Sequence, residues 1–436
     1  MVTVVNYYNL IVGSNTIVPT ANKRYVKYVN FDNAATTPAF KTVVDDLMNF
    51  LPYYSSIHRG MGYKSQRSTK VYEDGRKVVA DFVGADLEKD TVIFVKNTTE
   101  AINKLSNMMY EKYNDSIIIS TEMEHHSNDL PWRKFNIEYV KVDNSGRLLI
   151  EDLEDKLQKY YGKVKLVTVT GASNVTGYKN SIYDIARIVH KYDAKLLVDG
   201  AQLVPHASVN MKKHNDLEHI DYLAFSAHKM YAPFGTGVLI GPKAELDDIN
   251  PDYSGGGTVD IVTYDFIKWH ETPEKDEAGT PNLLGVVALS SAIKTLKNLD
   301  MRRIEVYEKN LLKYALSYLR NIPQVKLYCS GCNSNVSIVS FNVQGIYHET
   351  LAKILSYEFG IGVRTGCFCA QPYVQKLLNV PIEERMKIAE QGERRLGFVR
   401  LSFGLYNTFK EIDYFMYALN TIINNKQWYL NKYDTK

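Results

Sequence analysis

From about Phe31 to Asp300, short apolar runs alternate with stretches in which apolar residues recur every three or four positions. The short runs are Thr91-Val-Ile-Phe-Val95, Ser116-Ile-Ile-Ile119, Lys165-Leu-Val-Thr-Val-Thr170, Lys195-Leu-Leu-Val198, Asp221-Tyr-Leu-Ala-Phe225 and Val238-Leu-Ile240. Their length and β-branched content predict strands, while the periodic stretches between them, among them Glu100 to Glu111 and Ile182 to Lys191, predict helices. Such alternation implies an α/β fold with a mostly parallel sheet covered by helices on both faces.

Beyond a helical stretch from Leu284 to Leu299 the pattern changes. An amphipathic helix is predicted over Arg302 to Arg320, a strand over Val336 to Val343, a helix near Glu349 to Glu358, a strand over Val399 to Phe403 and a last helix from Thr408 to Asn424. This reads as a second, smaller α/β unit. The expected organisation is an N-terminal arm over 1–30, polar and irregular, a large domain over 31–300 and a small C-terminal domain over 301–436. A chain of 436 residues also exceeds the size at which single cores stop growing.

Composition narrows the function classes. A net charge of +3, with no long Lys/Arg run, gives no nucleic-acid footprint. No apolar run approaches the roughly 18 residues that cross a bilayer, so no membrane partner is expected. Met1-Val-Thr-Val-Val-Asn lacks the basic start of a signal peptide, and four cysteines in so long a chain form no disulfide framework. A reduced, cytoplasmic setting is expected.

The candidate chemistry lies at strand ends. The run ending at Phe225 leads into Ser226-Ala-His228-Lys229 and a glycine-rich exit, Gly235-Thr-Gly237, while the run ending at Val198 leads into Asp199-Gly-Ala-Gln202. In a parallel sheet both ends fall on one edge, where ligands bind, so a lysine and a carboxylate can face one small molecule. A lysine that bonds the cofactor and an aspartate that holds a protonated pyridine nitrogen are the protein's share of pyridoxal phosphate chemistry. Asn97-Thr98-Thr99, directly before a predicted helix, supplies amides and hydroxyls at a positive dipole end suited to phosphate.

With these motifs stand Phe31-Asp-Asn-Ala-Ala-Thr-Thr37, Glu124-His-His-Ser-Asn-Asp-Leu-Pro-Trp132, Ser173-Asn-Val-Thr-Gly177 and Arg364-Thr-Gly-Cys-Phe-Cys-Ala-Gln-Pro372. Together, from about Phe31 to Thr408, they resemble fold-type I pyridoxal phosphate enzymes of the class V aminotransferase superfamily, most of all SufS-type cysteine desulfurases and selenocysteine lyases. The resemblance implies pyridoxal 5'-phosphate bound by Lys229, with Lys229 also shuttling the substrate's Cα proton. It implies Asp199 at the pyridine nitrogen, Gln202 at the ring's phenolic oxygen and His125 against the ring face as a proton relay. Thr98, Thr99, Ser226 and His228 would hold the phosphate, and Arg400 with Asn174 the substrate carboxylate. Thr280, in Glu277-Ala-Gly-Thr280-Pro-Asn, would reach the partner subunit's phosphate, which makes the protein a homodimer with shared active sites.

Cys369 falls on the family's catalytic cysteine, which attacks the substrate's sulfur and keeps it as a persulfide. Cys367 and Phe368 stand where the family usually has two histidines, and in His58-Arg-Gly-Met-Gly-Tyr63 only the opening His-Arg-Gly matches. His126, adjacent to His125, is expected to be a packing residue, and no metal site is expected at either histidine or at the cysteines. The activity implied is cysteine desulfurase, with a sulfur-acceptor protein as a further partner. Selenocysteine lyase, an isopenicillin-epimerase-like racemase and an aminotransferase are the alternatives within the superfamily, and a non-catalytic sulfur carrier the one outside it. Cysteine, selenocysteine and a larger amino acid stay open as substrate.

Overall fold

Seven strands form the main sheet, in the order Asp90–Val95, Gly237–Pro242, Tyr222–Ser226, Lys195–Asp199, Val164–Thr170, Ile117–Thr121 and Asn136–Val140. Gly237–Pro242 runs antiparallel to both neighbours and every other pairing is parallel, so the other six strands point the same way. The computed structural model describes residues 7–328, 335–381, 383–384, 386 and 396–434. Tyr222–Ser226 and Gly237–Pro242 are buried at every position, as strands covered on both faces must be.

The helices bury the faces that the periodicity marks. Ile182–Lys191 buries Ile182, Ile185, Ala186 and Val189 in one stripe. Thr98–Tyr113 begins where the Asn97 side chain accepts the Glu100 N–H at 3.0 Å, an N-cap that fixes the chain's turn out of the first strand. Leu283–Leu299 and Met301–Leu319 follow, then a four-stranded antiparallel sheet ordered Val325–Leu327, Ile338–Val343, Phe398–Ser402 and Arg364–Gly366. Helices His348–Phe359 and Phe409–Asn424 pack with it around a hydrophobic cluster that includes Phe341, Leu351, Leu401 and Phe415.

The N-terminal arm differs from its expectation of irregularity. Ile17–Pro19 pairs with Tyr25–Lys27, and Val29–Asn30 runs parallel to Ile361–Gly362. These strands are two or three residues long, too short to show a pattern, and the last depends on a partner more than 300 positions away. Among the described residues, no helix is long and apolar enough to cross a membrane.

Candidate active site

Five parallel strands deliver their carboxyl ends to one edge of the main sheet. Thr98 follows the first, His125 lies beyond Thr121, Asn174 beyond Thr170, Asp199 ends its strand, and Lys229 lies in the short helical turn Ala227–Lys229 after Ser226. The antiparallel sheet contributes Cys369 and Arg364 from one loop and strand, and Arg400 from the next strand. These groups line a single cavity of about 240 Å³, which collects every expected site residue except Thr280.

Lys229 is half-buried, and desolvation, with the Arg400 charge adding to it and Asp199 opposing, lowers its pKa to about 8. Asp199 is buried; one carboxylate oxygen accepts the Ala201 N–H at 2.9 Å, and burial raises its pKa against the pull of Lys229. Gln202 Nε2 donates to the Ala34 carbonyl at 2.7 Å, which leaves Oε1 buried with no partner.

The phosphate-type donors form a linked set. The Thr98 N–H donates to Ser226 Oγ at 2.8 Å, and the two hydroxyls lie 2.7 Å apart. Gly237, paired in register with both Val95 and Ser226, lies against the Asn97 backbone so closely that a Cβ would fall 2.6 Å from Asn97 Cα. His228 lines the same wall, with its imidazole pKa lowered to about 4 by desolvation and then by Lys229.

His125 is held as one tautomer. Its Nδ1 accepts the Ser127 N–H at 3.1 Å and pairs with Ser127 Oγ at 3.0 Å, so the ring proton belongs on Nε2. Ser127 Oγ in turn meets Thr99 Oγ1 at 2.7 Å. Desolvation, reinforced by Lys229, lowers the His125 pKa to about 3, so the ring is neutral. Beneath it the buried Glu124 carboxyl binds Thr121, Asn128 and the Thr170 N–H.

Arg400 is buried at 3 % exposure, with Nη1 on the Asn174 carbonyl at 2.8 Å, Nη2 on Asp32 at 3.1 Å and its guanidinium 4.6 Å from the Phe368 ring centroid. Its Nε has no partner, and desolvation lowers its pKa to about 10. Asn174 Nδ2 donates to the Phe368 carbonyl at 2.6 Å, tying the cysteine loop to the main sheet. Phe368 and Cys369 both take positive φ, +51° and +56°, in a tight turn that leaves Cys369 exposed and Phe368 buried. Cys367 Sγ contacts the Leu396 carbonyl at 3.0 Å, and both thiols are free of disulfides.

The Aminotransferase class-V family model matches residues 29–415. The chain belongs to this family. A probable cysteine desulfurase of Mycolicibacterium paratuberculosis is 36% identical over 407 residues, which cover 90% of this chain and 55% of that relative. The chain therefore spans about half of that relative's length. A cysteine desulfurase of Wigglesworthia glossinidia brevipalpis is 34% identical over 90% of this chain and 92% of its own length. The apo structure of cysteine desulfurase from Thermococcus onnurineus NA1 superposes with a TM-score of 0.82 at 33% identity, over 91% of this chain and 95% of that one. The architecture is thus the fold-type I arrangement, and class V aminotransferases and cysteine desulfurases are pyridoxal phosphate-dependent families.

Thr280 lies apart from the other site residues. It is exposed and lines a second cavity with His58, Arg59 and Gly257. The loop before it is anchored by Glu277, whose carboxylate takes Arg76 at 2.7 Å, Tyr72 at 2.7 Å and the Phe94 N–H at 2.6 Å. Cys329 and Cys332 lie outside the described residues.

Sequence reasoning missed four residues here. Ser127 bridges His125 to Thr99, Asp32 orients Arg400, and Arg364 brings a second guanidinium to the cavity wall, 3.8 Å from Asp32. His126 does more than pack: its N–H donates to the Cys369 carbonyl at 2.7 Å and its Nε2 accepts the Gln371 N–H at 3.2 Å, so it brackets the cysteine. Ser127, Asp32 and Arg364 all fall inside motifs read from the sequence, so motif membership was the available signal.

Proposed function

We propose that the chain is a homodimeric, pyridoxal 5'-phosphate-dependent cysteine desulfurase, which converts L-cysteine to L-alanine and keeps the sulfur as a persulfide on Cys369. The observation that carries this reading is that Cys369 opens onto the same cavity as Lys229, Asp199 and Arg400. An aminotransferase or racemase needs no thiol there.

The residues present fit the cofactor. Gln202 Oε1 is a buried acceptor that lacks a donor, as the phenolic oxygen of the ring in its protonated form could supply. Asp199 is a buried carboxylate with one backbone partner, suited to a pyridine N–H. The wall where Gly237 meets Asn97 supplies the Thr98 and Ser226 hydroxyls at a helix start, suited to a phosphate. Lys229 would attach the cofactor covalently, Thr99 and His228 would complete the phosphate cup, and the neutral His125 would cover the ring.

Bound pyridoxal phosphate supplies an electron sink for the pair released when a bond to the amino acid's Cα breaks. Arg400 orients the substrate by its carboxylate, since its buried Nε–H is a donor without a partner, and Asn174 assists from the same wall. Lys229, with a pKa near 8, accepts and returns the Cα proton. The Cys369 thiolate forms an S–S bond to the substrate's sulfur. The C–S bond breaks, its electron pair stays on carbon, and that carbon takes a proton to give alanine.

Thr280, exposed on an anchored loop away from this cavity, suits a role at the partner subunit's phosphate and so a shared dimeric site. The division into domains over 31–300 and 301–436 has partial support from two hydrophobic clusters, one mostly of residues before 300 that also takes in Val336, Phe368 and Phe398, and one mostly of residues 311–433 that also takes in Val29 and Phe31. The exposed Cys369 suits hand-over to a sulfur-acceptor protein, and a reducing cytoplasm would keep it a thiol.

The test is to supply the purified protein with pyridoxal phosphate and L-cysteine and to measure alanine, sulfide and persulfide. Cys369→Ser should keep the bound cofactor's absorbance but lose sulfide release, while Cys367→Ser retains much of it. Added sulfur found by mass spectrometry on Cys367, or full activity in Cys369→Ser, overturns this mechanism in favour of an epimerase or aminotransferase. L-selenocysteine assayed in parallel separates a lyase specific for selenium from a desulfurase.

A further inference from the structure

The connection 200–221, between the strand that ends in Asp199 and the strand Tyr222–Ser226 that precedes Lys229, is 22 residues long and contains neither helix nor strand. Connections of that length without structure of their own are uncommon inside compact domains, and a cross-link that pins one relieves its closure entropy. Two histidines of this connection, His214 and His219, meet Asp90, the first residue of the strand Asp90–Val95. One donor atom of each lies within 4.8 Å of the other two.

His219 is 2 % exposed. Its Nδ1 faces the Met211 and Lys212 carbonyls at 2.9 and 3.1 Å, so Nδ1 carries the proton and Nε2 carries a lone pair. That Nε2 is buried and has no partner. A ring nitrogen fixed by a backbone carbonyl on its far side is the usual state of a metal-binding imidazole.

Asp90 is 1 % exposed, accepts the Asp86 N–H at 3.0 Å and lies 2.8 Å from His214 Nε2. Among the described residues its only ion-pair partner is that imidazole. His214 is half-buried, which gives the cluster a side open to solvent. The cluster therefore joins an under-compensated buried carboxylate, an orphaned imidazole nitrogen, a second imidazole and a path of entry.

We propose that Asp90, His214 and His219 form a site for one divalent first-row transition ion of the Zn²⁺ type, which clips the 200–221 connection to the first strand. Two imidazoles and one carboxylate suit such ions, with a water in the fourth position, whereas Mg²⁺ prefers an all-oxygen shell. The site is at the opposite end of the strand Asp90–Val95 from Thr98, roughly 20 Å from the cavity at about 3.3 Å per residue. Its role is structural, and it stands independently of the proposed desulfurase reaction.

The test uses holoprotein with all four cysteines changed to serine, which removes thiolate competition, stripped of metal by chelator and titrated calorimetrically with Zn²⁺. One ion per chain should bind. His214→Ala and, separately, His219→Gln should each weaken binding by at least about tenfold, since even outer-shell changes cost about 10–100-fold. His214 is half-buried, so His214→Ala is the variant expected to fold without difficulty, and the bound cofactor's absorbance checks that it has. No Zn²⁺ binding, binding unchanged in both histidine variants, or equal competition from Mg²⁺ overturns the proposal.

Discussion

Gly237→Ala should damage cofactor binding although residue 237 contributes no side chain to the cavity. The added Cβ would fall 2.6 Å from Asn97 Cα, 2.7 Å from its C and 2.8 Å from its N, all backbone atoms that no rotamer change can move. Ordinary contact begins near 3.4 Å, so Asn97 must retreat by about 0.8 Å. Asn97 caps the helix that starts at Thr98, and the retreat pulls Thr98 from Ser226, to which it is joined at 2.8 and 2.7 Å. Overpacking of this kind costs about 1–3 kcal/mol of stability. Loss of one hydrogen bond to a charged phosphate costs about 1.5–3 kcal/mol more in binding, or roughly 10–100-fold in affinity. The assay is a titration of apoprotein with pyridoxal phosphate followed by absorbance, beside a thermal melt. Gly62→Ala is the control, since its Cβ would meet nothing within 4 Å and its φ of −72° suits alanine. Affinity in Gly237→Ala within twofold of the parent, with an unchanged Tm, would refute the reasoning.

Capture of the cofactor requires neutral Lys229, so its rate should rise with pH and level off above about 8; a continued rise toward 10.5 would contradict the lowered pKa. Removing the Arg400 charge with Arg400→Gln should move that midpoint up, and removing the Asp199 charge with Asp199→Asn should move it down. For the apoprotein the folded pKa lies below the unfolded one, so the unfolded chain binds more protons between about 8 and 10.5. Stability should accordingly rise with pH across that window, a rise that Lys229→Met removes in a denaturant series at several pH values. In turnover, Asp199→Asn should keep the cofactor yet lose orders of magnitude in rate, because nothing then holds the ring nitrogen protonated; near-normal alanine production would exclude that role.

What the sequence made legible follows from how locally each feature is determined. Ile182–Lys191 was expected at the residues where it is found, because its buried stripe is wholly apolar. Tyr63–Val83 was not anticipated: its buried face includes Ser65, Ser68, Gly75 and Arg76, so hydrophobic periodicity barely marks a helix of 21 residues. Asn136–Val140 is an edge strand with Asn136 exposed and Ile137 to Tyr139 half-buried, which leaves little of the apolar run that marks the inner strands. Lys426–Tyr433 buries only Tyr429 and Tyr433 and presents no stripe. The site residues were legible where a motif sits at a strand's end. The hydrogen bonds of His126 carried no local signal, since they depend on a short helical turn that begins at His126 meeting the distant Cys369 loop. Asp90, His214 and His219 carry no local signal, since their meeting depends on the packing of a loop against a distant strand.

The electrostatics of the cavity explain why Arg400 and the Cys369 thiol are exposed so differently. Desolvation is the largest influence on Lys229, Arg400, His125 and His228, lowering their pKa values to about 8, 10, 3 and 4. Among the described residues, Asp199 is the only carboxylate on the cavity wall, and Asp32 pairs with Arg400 and Arg364. Burying positive charge with so little opposite charge is costly, and a phosphate and a substrate carboxylate would offset that cost. Cys369 interacts electrostatically with both Lys229 and Arg400 yet is exposed, on a turn held by Asn174 and His126. Arg400, which would only orient the substrate's carboxylate, can be buried permanently. A thiol that must meet the substrate inside the cavity and then surrender its sulfur outside has to stand at the mouth.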